Sequence, residues 1–153
     1  MKKKISIKIL DHDFGKKFPL PQYYTKGSSG IDLRACIRSN LLIKANNIAL
    51  ISTGIAMHIA DQNLSGLILP RSGLAHNHGI VLSNTVGVID SDYQGPIYLS
   101  VLNRSKKDFL ISPGDRIAQI IFVCISQVYL DIVTDFCHHT ERKDSGLGHS
   151  GIK

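Results

Sequence analysis

Tryptophan is absent from this chain of 153 residues, Glu141 is its only glutamate, and none of its cysteines (Cys36, Cys124 and Cys137) belongs to a CxxC pair. An odd number of unpaired cysteines argues against a disulfide framework or a zinc knuckle and points to a reducing compartment. No apolar run approaches the length of a membrane span. The opening "MKKKISIKILDHD" is basic, but Lys8 and Asp11 interrupt any signal-like stretch. A cytoplasmic protein is expected. The chain also lacks a GxSxG elbow, a Walker loop and a dinucleotide fingerprint. "DSDYQG" is not a calcium loop, because Val101 stands where such a loop needs its final glutamate. Neither "HNH" (His76 to His78) nor "CHH" (Cys137 to His139) has a second cluster at ligand spacing, so these histidines read as surface or packing residues.

What is present is an ordinary globular composition, 43% hydrophobic and 20% charged, in a length that fits one domain. The formal charge of +6 should draw anions: nucleic acid, acidic membrane or a nucleotide. The basic residues are scattered rather than striped with aromatics, which gives nucleic-acid binding little support. Ile5, Ile7 and Ile9 repeat every second residue, as do Ile97, Leu99 and Val101, and Ile117, Gln119, Ile121 and Val123. Period two predicts half-buried strands, and turn signals such as "ADQNLSG", "SDYQG" and "SPGD" punctuate them. Many short strands suggest an all-β sandwich, jelly roll or barrel, with "SGLAHNHG" as the one candidate helix. The alternation defines a core over residues 1–136. From Cys137 to the end the chain turns polar and glycine-containing, either a frayed terminus or an arm able to wrap an anion.

Two stretches could carry chemistry. In "LILPRSGLAHNHGI" a strand stops at Pro70 and Arg71-Ser72-Gly73 opens the helix, with Ser72 as expected N-cap. Free amides beside a guanidinium would suit a phosphate; the alternative is a capped surface turn. In "GVIDSDYQGPI", Val86, Val88 and Asp90 share one face of an extended strand, so a half-buried carboxylate would end an apolar stripe and make a good proton acceptor. The turn then leaves Tyr93 at a hairpin tip and Tyr98 roughly opposite Val88; a ring there could stack on a sugar or be plain surface.

Five blocks taken together resemble the homotrimeric deoxyuridine triphosphatases (dUTPases): "SSGIDLRA" from Ser28, "PRSGLAHNHGI" from Pro70, "GVIDSDYQG" from Gly87, "PGDRIAQIIF" from Pro113 and "ERKDSGLGHSG" from Glu141. The resemblance implies a jelly-roll (distorted β-barrel) subunit with one short helix and a flexible C-terminal arm over 137–153 that closes an active site shared between subunits. It implies hydrolysis of dUTP to dUMP and pyrophosphate, which keeps uracil out of DNA and supplies dUMP for thymidylate synthesis. Asp90 resembles the general base that activates water against the α-phosphorus. Arg71, Ser72 and Gly73 resemble the phosphate-contacting segment, with Gln119 near the phosphates. Asp32 resembles the carboxylate holding Mg2+ through water. Asn84 and the backbone of Val88, Ile89 and Asp90 resemble the uracil-reading hairpin, and Tyr93 the platform beneath deoxyribose, with Tyr98 as its neighbour.

The fifth block departs from the family pattern. Arg142 and Gly148 remain, but Lys143 and Ser145 replace glycines, and Leu147 stands where a base-stacking phenylalanine is usual. Leucine covers a uracil face without aromatic stacking, so the arm should close less firmly. A dCTP deaminase shares the fold but relies on a glutamate at the base, and Glu141 lies in the tail beside Arg142. A non-catalytic nucleotide-binding trimer should have lost Asp90, Asp32, Arg71 or Gln119, and all four are present.

Overall fold

Strand β8 (Pro96–Asn103) states the rule by which this chain folds: Ile97, Leu99, Val101 and Asn103 point inward and are buried, while Pro96 and Tyr98 point out. Side chains alternate across a strand, so one apolar stripe per strand covers one face of a sheet. The computed structural model describes residues 3–138, 140–144 and 146.

In chain order the elements are β1 (Ser6–Ile9), β2 (Ile31–Arg34), β3 (Leu41–Ile43), β4 (Ile48–His58), β5 (Leu64–Pro70), α1 (Ser72–His78), β6 (Ile80–Leu82), β7 (Gly87–Ile89), β8, β9 (Phe109–Ile111) and β10 (Arg116–Cys124). They form one sheet in the order β1-β4-β8-β6, a second in the order β2-β10-β5-β7, and the two-stranded pair β3-β9. All pairings are antiparallel. Both four-stranded sheets feed a single core that includes Leu33, Ile51, Ile55, Leu99, Ile111 and Ile120. This is the all-β architecture with one short helix that the alternation predicts. No helix among the described residues is long and apolar enough to cross a membrane.

Four local expectations need correction. Strand β1 is exposed along its whole length, because it sits at a sheet edge with only β4 beside it. In β10, the set Ile117, Gln119, Ile121 and Val123 does not share a face. The pairing with β2 slips between Arg116 and Ala118, so Ile117 and Ala118 are both buried and the alternation restarts one residue late. Such a bulge inserts one unpaired residue and reverses the facing of everything beyond it. Ser72 does not cap α1: extended backbone continues through Arg71 (φ −84°, ψ 129°), which takes the cap position with no side-chain cap bond, and Ser72 becomes the first helical residue. Finally, Tyr98 pairs with Ser52 rather than facing Val88, because β7 and β8 belong to different sheets. "SDYQG" is a crossing between sheets, not a hairpin turn.

The polar interior is fully partnered: no buried side-chain nitrogen or oxygen among the described residues lacks a hydrogen bond. Asn103 is the central case. Its Nδ2 donates to the carbonyls of Ile43 (3.0 Å) and Lys107 (2.8 Å), while its Oδ1 accepts from the Ser105 amide and hydroxyl.

Candidate active site

The second sheet delivers one cluster of site residues to a common cleft. Across β2-β10-β5, Gln119 lies opposite Asp32 on one side and Leu69 on the other, one residue before Pro70 and the Arg71-Ser72-Gly73 turn. Asp32, Arg71, Ser72, Gly73, Arg116 and Gln119 all line a cleft of about 700 Å3. The Gln119 Nε2 donates to the Pro70 carbonyl at 3.1 Å, tying β10 to the start of the turn. Ser72 and Gly73 are exposed, and a methyl group on Gly73 would meet nothing within 4 Å, so the cleft stays open above this backbone.

Asp32 is gripped by two arginines, one at each oxygen. Arg71 Nε stands 3.0 Å from Oδ1, and Arg116 Nη1 stands 3.1 Å from Oδ2. Arg71 Nη1 also donates to the Arg116 carbonyl at 2.8 Å. Two guanidinium groups against one carboxylate leave a net positive charge in a recess, which focuses attraction on a polyanion. The Arg116 guanidinium further lies 6.0 Å from the centre of the Tyr24 ring. Sequence reasoning passed over Arg116. With strict alternation, residues three apart face opposite ways; the bulge at Ile117 brings Arg116 and Gln119 to the same side.

A second cluster lies at the far end of β5. Strand β7 pairs with β5 through Gly66–Ile89, Leu67–Val88 and Ile68–Gly87, so Asp90 falls beside Ser65. The Ser65 hydroxyl donates to the Ile89 carbonyl, and the Ala60 amide to the Ser91 carbonyl. From Ser65 to Arg71 is six residue steps, roughly 20 Å of strand. Asn84 is exposed in the turn before β7, where Thr85 adopts φ +66°. Tyr93 donates its hydroxyl to the Pro96 carbonyl at 2.9 Å, which fixes the ring over Gly95. The expectation of a half-buried Asp90 is not met in the single chain. Val88 is 60% exposed, Val86 and Asp90 are exposed too, and β7 is an edge strand with no further strand paired to its outer edge among the described residues. Tyr98 is exposed on the other sheet.

The structure therefore brings together Asp32, Arg71, Ser72, Gly73 and Gln119, and separately Asn84, Val88, Ile89, Asp90 and Tyr93. It does not bring the two groups to one place within a chain. Arg142 and Lys143 lie among the described residues, Lys143 at φ +50°; Ser145, Leu147 and Gly148 lie outside them.

Of the two candidate clusters, His76 and His78 behave as surface and packing groups, and His139 lies outside the described residues. His78 rests on Phe109 with ring centres 5.2 Å apart, and His76 is exposed. Among the described residues, the group with metal-ligating atoms close together is Asp11, His12 and Asp13, which the motif reading did not single out. Its carboxylates are already engaged: Arg38 bonds Asp11 at 2.9 Å, and Lys17 and Arg38 approach Asp13 at 3.2 and 3.4 Å. The knot anchors the N-terminal loop. The amide of Asp13, the Cys36 thiol and Arg38 hold the Asp11 carboxyl below its ordinary range, while burial and the Asp11 contact push the Cys36 thiol up to about 11.

A family model named dUTPase matches residues 16–151, nearly the whole chain and all five sequence blocks. The chain belongs to the dUTPase family. It is 63% identical over 151 residues to a deoxyuridine 5'-triphosphate nucleotidohydrolase of Wigglesworthia glossinidia brevipalpis, with 99% of each chain covered. It is 56% identical over 151 residues to the enzyme of that name from Haemophilus ducreyi, again with 99% of each covered. Among solved structures, a point mutant of the Staphylococcus bacteriophage 80alpha dUTPase with dUpNHpp superposes with a TM-score of 0.81 at 23% identity, covering 99% of this chain and 100% of that one. A mutant dUTPase from phage phi11 of S. aureus, described for its structural Mg(II) ion, gives 0.77 at 20% identity over 89% of this chain and 100% of that one. At such identities the phage enzymes attest the shared jelly-roll fold.

Proposed function

We infer that this chain is a dUTP diphosphatase, hydrolysing dUTP to dUMP and pyrophosphate. One observation carries the reading beyond family membership: Asp32, Arg71, Ser72, Gly73 and Gln119 converge on one net-positive cleft of polyphosphate size. Arg71, on exchanging the Asp32 carboxylate, would offer a planar fork to phosphate oxygens, and the Ser72 hydroxyl, the open Gly73 backbone and the Gln119 carboxamide would supply neutral donors beside it.

Asp90 is the general base in this proposal. It accepts a proton from a water, whose oxygen attacks the α-phosphorus; the bond to the bridging oxygen breaks and pyrophosphate leaves. A positioned base of this kind contributes about 10²–10⁴-fold. The larger share comes from charge stabilisation around the phosphates. Asn84 and the backbone of Val88 to Asp90 read the uracil edge. Tyr93, held by Pro96, underlies the deoxyribose, where a ribose hydroxyl would collide; close backbone packing excludes thymine's methyl group. Tyr98 is kept only as a neighbour. Arg142, Leu147 and Gly148 belong to the closing arm, 137–153, with Leu147 covering the base less firmly than an aromatic would.

Mg2+ is proposed as the cofactor. Both Asp32 oxygens are engaged by arginines, which leaves no oxygen free for direct ligation, so an ion at this carboxylate would be held through its water shell, as Mg2+ commonly is. When bound, the ion would neutralise phosphate charge and fix the conformation of the triphosphate.

The site is proposed to form between copies of the chain in a homotrimer. Support comes from the roughly 20 Å separating Asp90 from Arg71 along β5, too far for one nucleotide α-phosphate to meet both within a subunit. Further support comes from uncovered apolar side chains in the segment after β10: Val128 is 75%, Leu130 80% and Ile132 96% exposed. A cytoplasmic location belongs to the same proposal.

The test is pyrophosphate release from dUTP, dTTP, UTP and dCTP, with and without Mg2+, and ammonia release from dCTP in parallel. Selective dUTP cleavage is expected. Equal cleavage of UTP or dTTP would remove the pocket assignment, and ammonia release would point to a deaminase. Asp90→Asn should abolish turnover and retain dUpNHpp binding; retained turnover would exclude Asp90 as the base.

A further inference from the structure

Arg116 has no assigned part in the chemistry above, yet it completes the charge arrangement that holds Arg71. We propose that Arg116 is a positioning residue for the polyphosphate site: it keeps Asp32 compensated so that Arg71 is free to exchange that carboxylate for a phosphate. The inference rests on the dUTP diphosphatase reading.

Three observations support it. Asp32 has two guanidinium partners on separate oxygens, at 3.0 Å for Arg71 and 3.1 Å for Arg116. The carboxylate is only 26% exposed, so with neither arginine beside it the charge would be poorly hydrated. Arg116 is placed by the bulge at Ile117 on the same side as Gln119, and its guanidinium also lies 6.0 Å from the Tyr24 ring centre, a second contact besides Asp32. With Arg116 present, Arg71 can turn to a phosphate while Asp32 stays paired. Without it, Asp32 holds Arg71 as its only counter-charge and competes directly with the ligand.

The experiment measures dUpNHpp and dUMP binding in EDTA, by calorimetry, for the full-length protein and its variants. Arg116→Gln should weaken dUpNHpp binding about tenfold, the cost of one charge-assisted contact, while dUMP affinity changes little. Arg116→Lys should retain most of the affinity, since an ammonium still compensates Oδ2. The deciding variant is Asp32→Asn combined with Arg116→Gln: with the competing carboxylate neutralised, Arg71 is released and dUpNHpp affinity should recover. Continued weakness in the double variant would mean that Arg116 grips phosphate directly and would overturn the positioning role, as would equal losses for dUpNHpp and dUMP. Should Arg116→Gln fail to fold, the lysine variant and its double with Asp32→Asn carry the same comparison: a lysine variant as weak as the removal of a charge predicts would overturn the proposal. Wild-type pyrophosphate release from dUTP is measured first. Its absence would strike the functional reading, whereas unchanged binding in Arg116→Gln on an active enzyme would strike only this inference.

Discussion

Gly30 faces the side chain of Gln119 so closely that a methyl group in place of its hydrogen would stand 2.5 Å from Oε1. The glycine is thus the opening through which Gln119 reaches the cleft and bonds the Pro70 carbonyl. Gly30→Ala must displace the end of a flexible side chain rather than backbone. We expect stability to change by less than about 1 kcal/mol, while dUTP turnover falls about tenfold from a misplaced phosphate contact. Melting and steady-state kinetics measured together check this; full activity in the alanine variant would show that Gln119 has room to spare.

Asn103 should matter for stability alone. It is wholly buried and bonds the carbonyls of Ile43 and Lys107, joining β8 to β3 and to the loop before β9. Asn103→Ala strands those groups and leaves a void, so a loss of roughly 2–4 kcal/mol is expected. Urea titration measures it, and a loss within experimental error would mean that water replaces the side chain at no cost.

The three thiols should separate by reactivity. Cys124 and Cys137 are exposed, while Cys36 is partly covered and its thiol is pushed up to about 11 by burial and by Asp11. At pH 8 roughly one Cys36 in a thousand would be thiolate, so two thiols should react fast with a disulfide reagent and one slowly. Rapid reaction of all three would contradict the packing of Cys36 against Gly54.

Asp11 predicts a pH dependence of stability. Its folded carboxyl is held low, first by the Asp13 amide, then by the Cys36 thiol and Arg38. A depressed folded pKa stabilises above the unfolded value, near pH 4, and that contribution fades as pH falls through the folded value. Asp11→Asn should therefore lower Tm at pH 7 and flatten the decline of Tm below about pH 4. Parallel Tm profiles for both proteins across that range would remove Asp11 from the acid response.

The alternating pattern of β8 was enough to name Ile97, Leu99 and Val101 as core, and all three are buried. The helix at Ser72–His78 was also readable, because Pro70 ends a strand and Gly79, at φ +69°, ends the helix that follows. Arg71 was named from its local motif, Asp32 and Gln119 from the family resemblance, and the three line one cleft. Arg116 and Gly30 were not named, although both lie inside the same motifs. Their importance depends on which strands lie side by side, and no local signal marks that.

Alternation alone determined that this chain makes many short strands, since period two follows from the geometry of a single strand. It could not determine the bulge at Ile117, the separation of β7 from β8, or the distance from Asp90 to Arg71. Those depend on register and pairing between segments far apart in the chain, where one inserted residue exchanges inside for outside. The tertiary structure decided that Arg116 and Gln119 look into the same cleft and that Asp90 stands outside it, at the other end of β5.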